Sequence, residues 1–150
     1  MRKIPTTVLA ACIGLAASTT VAGAGLFSAT GSVVAILADD LFVGEADGHL
    51  SGAGTLAIHS QKNPDLICLG DFTSRALLGS SGQMNRSDGT AATSYFQRLS
   101  VLRGFGTGRF SRGSKNFGYG LTAEEARPYL KLPKGKKLTH NGSKLVLGDL

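Results

Sequence analysis

The chain has 150 residues, 42% hydrophobic and 17% charged, with 21 glycines and no tryptophan. That length accommodates one domain with its own core and not two comfortable ones, and so much glycine points away from a helical bundle and towards short strands with tight turns. The formal net charge of +6 is unevenly spread: Arg98 to Leu150 holds eleven Lys or Arg against three acids, whereas Gly25 to Gln97 holds three against seven.

Arg2 and Lys3, an apolar stretch from Val8 to Ala17 and the small residues Ala22-Gly23-Ala24 read as an export signal over residues 1–24, with the mature chain starting at Gly25. A competing reading is lipidation, because Leu9-Ala10-Ala11-Cys12 has the form of a bacterial lipobox in which Cys12 becomes the lipid-bearing first residue. Cys12 would sit early for that role, and the residues after it stay apolar to about Ala24 instead of forming a polar tether. No later stretch approaches the ~20 consecutive apolar residues of a membrane span. Once the signal is cleaved, Cys68 is the single remaining cysteine and no internal disulfide can form.

Residues 25–40 are ambiguous, since Ser32 to Leu37 fits a buried strand or the first turns of a helix. From Leu41 the pattern is β. Leu41 to Ala46 leads through the turn dipeptide Asp47-Gly48 into Gly48–His59, which alternates strictly and places Leu50, Leu56 and Ile58 on one face with Gly48, Gly52 and Gly54. Gln61 to Asp65 is a loop. Leu66 to Ser74 then puts Leu66, Cys68, Gly70 and Phe72 on one face, which buries Cys68. Leu77–Arg86, Ala91–Leu99, Leu102–Phe110 and Lys115–Gly120 follow as strands, Ser87-Asp88-Gly89 being a turn and Gly104, Gly106, Gly108 and Phe110 sharing a face. At Leu121 the pattern changes. Thr122-Ala123-Glu124-Glu125 is a capping box for a short helix that Pro128 and Pro133 curtail, and Asn141-Gly142 marks a hairpin. The expected fold is all-β: an antiparallel meander over 41–120 closing into a small barrel or sandwich, then a helix-plus-hairpin extension over 121–150.

The succession Gly48-x-Leu50-x-Gly52-x-Gly54-Thr55-Leu56, Cys68-x-Gly70-x-Phe72, Ser87-Asp88-Gly89, Gly104-x-Gly106-x-Gly108 and Phe117-x-Tyr119-Gly120 resembles a group of small, exported, glycine- and threonine-rich β proteins of proteobacteria. The resemblance covers about Phe42 to Gly120 and implies fold and export, with no activity. In that group a second cysteine commonly precedes the Ser-Asp-Gly turn. Here that position is Arg86, so the cross-strand disulfide that the resemblance implies cannot form.

Candidate chemistry is sparse. His49 and His59 share a face but lie roughly 33 Å apart on a straight strand, too far for one ion unless Gly52 and Gly54 bend it sharply; His140 sits beside a hairpin turn. Cys68 next to Arg86 could be an activated thiol, against the plainer reading of a small buried hydrophobe. Gly104 to Gly108 lacks the Lys-Ser/Thr and strand-to-helix setting of a phosphate loop. No catalytic constellation and no cofactor is implied. The remaining candidate site is the basic tail, Lys131, Lys134, Lys136, Lys137 and Lys144, interleaved with Leu130 and Leu132. With an export signal, its partners would be anionic glycans, lipid head groups or an envelope protein rather than nucleic acid. The sequence thus reads as an exported, non-enzymatic envelope protein binding an anionic partner through its basic half. The alternatives are a small-ligand carrier whose glycine-rich inward faces leave a cavity, and, last, an envelope hydrolase or inhibitor.

Overall fold

A computed structural model describes residues 28–75, 79–100, 102–111 and 113–150. The export signal, its cleavage site, Gly25 and Cys12 lie outside the described residues, as do Leu77 and Leu78. Eight strands, β1 (Ser28–Leu37), β2 (Asp40–His49), β3 (Ala53–Ser60), β4 (Ile67–Arg75), β5 (Gly79–Arg86), β6 (Ala91–Ser100), β7 (Arg103–Phe110) and β8 (Gly113–Tyr119), run as an antiparallel meander. The sheet closes into a barrel through β1 and β8, from Val33 opposite Tyr119 to Leu37 opposite Lys115. Beyond it come α1 (Ala123–Ala126), a 3-10 turn (Arg127–Tyr129) and the hairpin β9 (Lys136–Asn141) and β10 (Lys144–Asp149), which forms its own two-stranded sheet.

The ambiguous N-terminal run is β1, and its apolar continuity has a topological cause: both of its faces are covered. Val33, Ala35 and Leu37 point into the barrel, whereas Val34 and Ile36 join Leu41 in a second core beneath Leu121, Ala126 and Leu130. Strands buried on both sides read as continuous apolar runs, which is why periodicity alone could not place this one.

The reading of Gly48–His59 as one strand is corrected. β2 ends at His49, Gly52 donates to the His49 carbonyl, and β3 starts at Ala53, so that Gly48 faces Gly54 across the pair. Leu50 is a turn tip with 75% exposure, not a core residue. Alternation passes through this turn undisturbed, so the pattern conceals it. What makes the turn is Gly52, held at φ 86° with its Cα so near the Ser74 carbonyl that a Cβ would fall 2.1 Å from that oxygen. Asp47-Gly48 is accordingly not a turn: both lie in β2, and Asp47 accepts a hydrogen bond from the Thr30 hydroxyl. The C-terminal hairpin turns one residue later than expected, on Gly142-Ser143 with Gly142 at φ 63°, the arrangement in which glycine leads a two-residue loop. The capping box forms as read: Glu125 N–H donates to Thr122 Oγ1, and Thr122 N–H donates to the Glu125 carboxylate.

Closure fixes the size of the interior. From Leu37 the register steps through Lys115, Gly108, Ser94, Gly82, Phe72, Gly54 and Gly48 and returns to β1 at Ala29, eight residues from its start. Eight strands with this stagger enclose a space just wide enough to be filled by side chains or to hold one small ligand. The outward positions of β3 to β7 are largely polar, with Thr55, His59, Asp71, Gln83 and Arg109 exposed. Ile67 and Leu69 of β4 and Tyr95 and Leu99 of β6 are exposed among them.

The end of the barrel at the β1–β2 turn is packed solid by Leu37, Phe42, Ile58, Cys68, Met84 and Phe110. Charges are buried there too. Arg86, 8% exposed, pairs with Asp88 and stands over the Phe110 ring, 5.5 Å from its centroid. Lys115 is 1% exposed and its ammonium has no hydrogen-bond partner among the described residues. Burial therefore pulls the Lys115 ammonium down to about 8 and pushes the Cys68 thiol up to about 11. In the unfolded chain Lys115 titrates near 10.5 and Cys68 near 9.0. As pH rises from about 8, folded Lys115 sheds its proton before unfolded Lys115 does, so the folded state gains stability, on the order of 3 kcal/mol if the full interval counted. Above about 9, unfolded Cys68 ionises first and works in the opposite sense. Denaturant titrations should therefore show stability climbing between pH 7 and 9 and levelling above. Lys115→Met should be more stable than the parent at pH 7 by ~1–3 kcal/mol and lose the climb; an undiminished climb in that variant would refute the assignment to Lys115.

Candidate functional site

The other half of the barrel is open. Here the inward positions alternate between glycine, alanine or serine on most strands and aromatic rings on β4, β6 and β8. The glycines are where the rings lie. A Cβ at Gly104 would fall 2.4 Å from Tyr119 Oη and one at Gly106 2.5 Å from Phe117 Cζ. Gly54 holds the edge of Phe72 in the same way, at 2.2 Å. Each glycine is thus a floor on which a neighbouring strand's ring lies flat against the wall, so the rings line the lumen instead of plugging it.

Phe96 is the centre of this lining. Its ring meets Phe72 at 5.7 Å and 89°, Tyr119 at 5.7 Å and 86°, and Phe117 at 6.4 Å and 61°, all edge-to-face, the geometry that aromatic quadrupoles favour. What remains is a cavity of about 610 Å³, walled by these rings together with Val33, Leu56 and the glycine faces and opening between the β2–β3 and β6–β7 turns. That volume lies within the ~300–1,000 Å³ of sites for small molecules. Polar groups are few. Ser94 donates its hydroxyl to the Gly82 carbonyl, Ser74 accepts from Ser80, and Arg98 stands at the mouth with Nη1 3.5 Å from Ser74 Oγ. Burial pushes the Tyr119 phenol up, and the nearby positive charge of Arg98 opposes that push. Leu50 and Leu102 form an exposed apolar rim.

The structure separates the residues singled out from sequence. Cys68 is directly opposite Arg86, but it belongs to the packed floor and not to the cavity lining. Its thiol stays protonated at neutral pH because burial outweighs the nearby cations of Arg86 and Lys115. His59 faces outward opposite Val43, six residues along β2 from His49, roughly 20 Å away, and the described residues hold no group of three metal-ligating side chains. In the basic tail, Lys137 and Lys144 share the hairpin face turned away from the barrel, near its two ends, whereas Lys136 lies on the other face and pairs with Asp149. Lys131 and Lys134 are exposed in the segment leading to the hairpin. Leu130 and, partly buried, Leu132, Leu138, Leu145 and Leu147 pack against the outside of β1 and β2. Sequence reasoning missed Phe72, Phe96, Arg98, Phe117 and Tyr119 as a group. The signal was available in the register of glycines against aromatics, but reading it needs the strand pairing.

No protein-family model matches the chain, and neither does any curated protein sequence. Among solved structures, a de novo designed fluorescence-activating β-barrel is similar at 17% identity with a TM-score of 0.49, over 65% of this chain and 94% of the designed one.

The glycines differ in tolerance, and this gives a direct check on the cavity walls. Gly54→Ala sets a methyl group 2.4 Å from the Asp47 carbonyl as well as against Phe72, and should cost about 2 kcal/mol or more. Gly48→Ala meets nothing nearer than 3.8 Å and has no positive φ. It should be neutral or stabilising by up to ~1 kcal/mol. Equal melting temperatures for the two variants would mean that Gly54 is not pressed against Phe72 and the Asp47 carbonyl.

Proposed function

We propose that this protein binds a small, predominantly apolar molecule inside the open half of its barrel. The observation that carries the reading is the 610 Å³ lumen itself: an apolar chamber with an aromatic lining, kept open by glycines at positions where ordinary core residues would have filled it. Burying apolar ligand surface in such a chamber releases about 25 cal/mol per Å², and a preformed, rigid wall spares the ordering cost that a flexible site would incur. The packed floor leaves the mouth as the route in and out.

The test is a fluorescence titration with N-phenyl-1-naphthylamine, a neutral aromatic probe. Saturable, blue-shifted emission is expected with the parent chain. Gly48→Phe, which directs a ring into the lumen from a position with room for its Cβ, should fold and lose that signal. Absence of saturable binding, or binding undiminished in a folded Gly48→Phe protein, would refute the reading.

The compartment is proposed to be outside the cytoplasm, on the strength of the signal-like residues 1–24. Intact mass after expression in a bacterial host decides between the forms: a chain starting at Gly25 indicates ordinary cleavage, and one starting at Cys12 with acyl chains indicates an anchored protein. A chain that keeps residues 1–24 would remove the export proposal.

A further inference from the structure

The binding reading leaves open which apolar molecules the barrel takes, and the mouth bears on that question. Arg98 is the last inward-facing residue of β6 in register, opposite Gly104, which in turn is opposite Tyr119. Because Gly104 lacks a Cβ, the Tyr119 ring crosses β7 and brings its hydroxyl over that glycine, towards β6. On the other side of Arg98, Ser74 Oγ of β4 is 3.5 Å from its guanidinium. A guanidinium, a phenol and a hydroxyl are thus gathered at one rim of an otherwise apolar chamber.

The distribution of acids reinforces this. Among the described residues no carboxylate lines the cavity. Asp47 and Asp71, on strands whose inward residues do line it, point outward; Asp47 is held by the Thr30 hydroxyl. Glu125, beyond the β7 edge of the mouth, is paired with Arg103. The mouth therefore presents positive potential and hydrogen-bond donors above an aromatic wall.

We infer that the ligand is an amphipathic anion, whose aromatic or unsaturated apolar body occupies the lumen while a single carboxylate or comparable anionic group stays at the mouth against Arg98 and the Tyr119 hydroxyl. This inference rests on the binding reading above. A guanidinium offers directed, charge-assisted donors to such a group, and the head-out orientation leaves the charge partly hydrated, avoiding the penalty of burying it.

The test pairs two probes of related ring framework: 8-anilinonaphthalene-1-sulfonate, an anion, and N-phenyl-1-naphthylamine, which lacks the sulfonate. With the parent chain at low salt the sulfonate should bind more tightly, and added salt should narrow the difference. Arg98→Met should weaken the sulfonate by on the order of fivefold and change the neutral probe less than about twofold. Arg98→Lys, which keeps the charge, should retain most of the preference; it also answers the case in which Arg98→Met fails to fold. A sulfonate affinity unmoved by Arg98→Met, or lost through Lys115→Met instead, would overturn the inference while leaving the binding reading intact. Failure of both probes to bind the parent chain would instead sink the binding reading.

Discussion

In a closed eight-stranded sheet the girth is set by strand number and stagger, so the lumen is whatever the inward side chains leave. Here the decisive contact is between backbone and ring: side chains of β8 and β4 lie on glycines of β7 and β3 with no Cβ between them. Each such contact keeps two volumes out of the lumen, the missing side chain and the ring that would otherwise project. The Phe96 cluster then sets the rings edge to face against one another along the wall. Further down, the same register places Lys115 over Gly108 and Met84 over Gly70, but Phe42, Ile58 and Phe110 close the space and the barrel is packed.

The C-terminal extension is a structural part of the barrel's exterior. Closing a sheet removes its edges, yet Val34, Ile36 and Leu41 would still face water on the outside. Leu121, Ala126 and Leu130 cover them, Tyr129 stacks on Phe105 at 4.0 Å, and the hairpin leucines complete the cover. The capping box holds α1 in place for this, and the Glu125 carboxylate that closes the box also receives Arg103 of β7. Lys131, Lys134, Lys137 and Lys144 of this segment are exposed, and Lys136 pairs with Asp149.

The floor carries an uncommon electrostatic load. A buried ammonium without a partner normally gives way to an apolar residue, and Arg86 is accommodated only because Asp88, Thr90 and the Phe110 ring surround it. Arg86 lies directly opposite Cys68 of β4, but its ion pair is made with Asp88 in the turn that follows β5 and not across to β4. The result is a floor that buries two cationic side chains beneath a lumen whose lining is mostly apolar.

The all-β class, the meander, the inward set Cys68, Gly70 and Phe72, the glycine face of β7 and the capped helix were legible in the sequence, because each is written in local alternation or in one short motif. What the sequence could not yield was anything that depends on pairing. The turn at Gly52 was hidden since alternation runs through it, and β1 was ambiguous since both its faces are covered. The lumen was invisible for the same kind of reason. A glycine reports only that a side chain is missing; whether a ring from the next strand lies there depends on register, which sets Gly104 against Tyr119 and Gly106 against Phe117. Local residue order determined strands and their inward faces, and tertiary closure decided which faces met, where space was left and that Arg98 stands beside it, since those are properties of pairs of strands and not of any one of them.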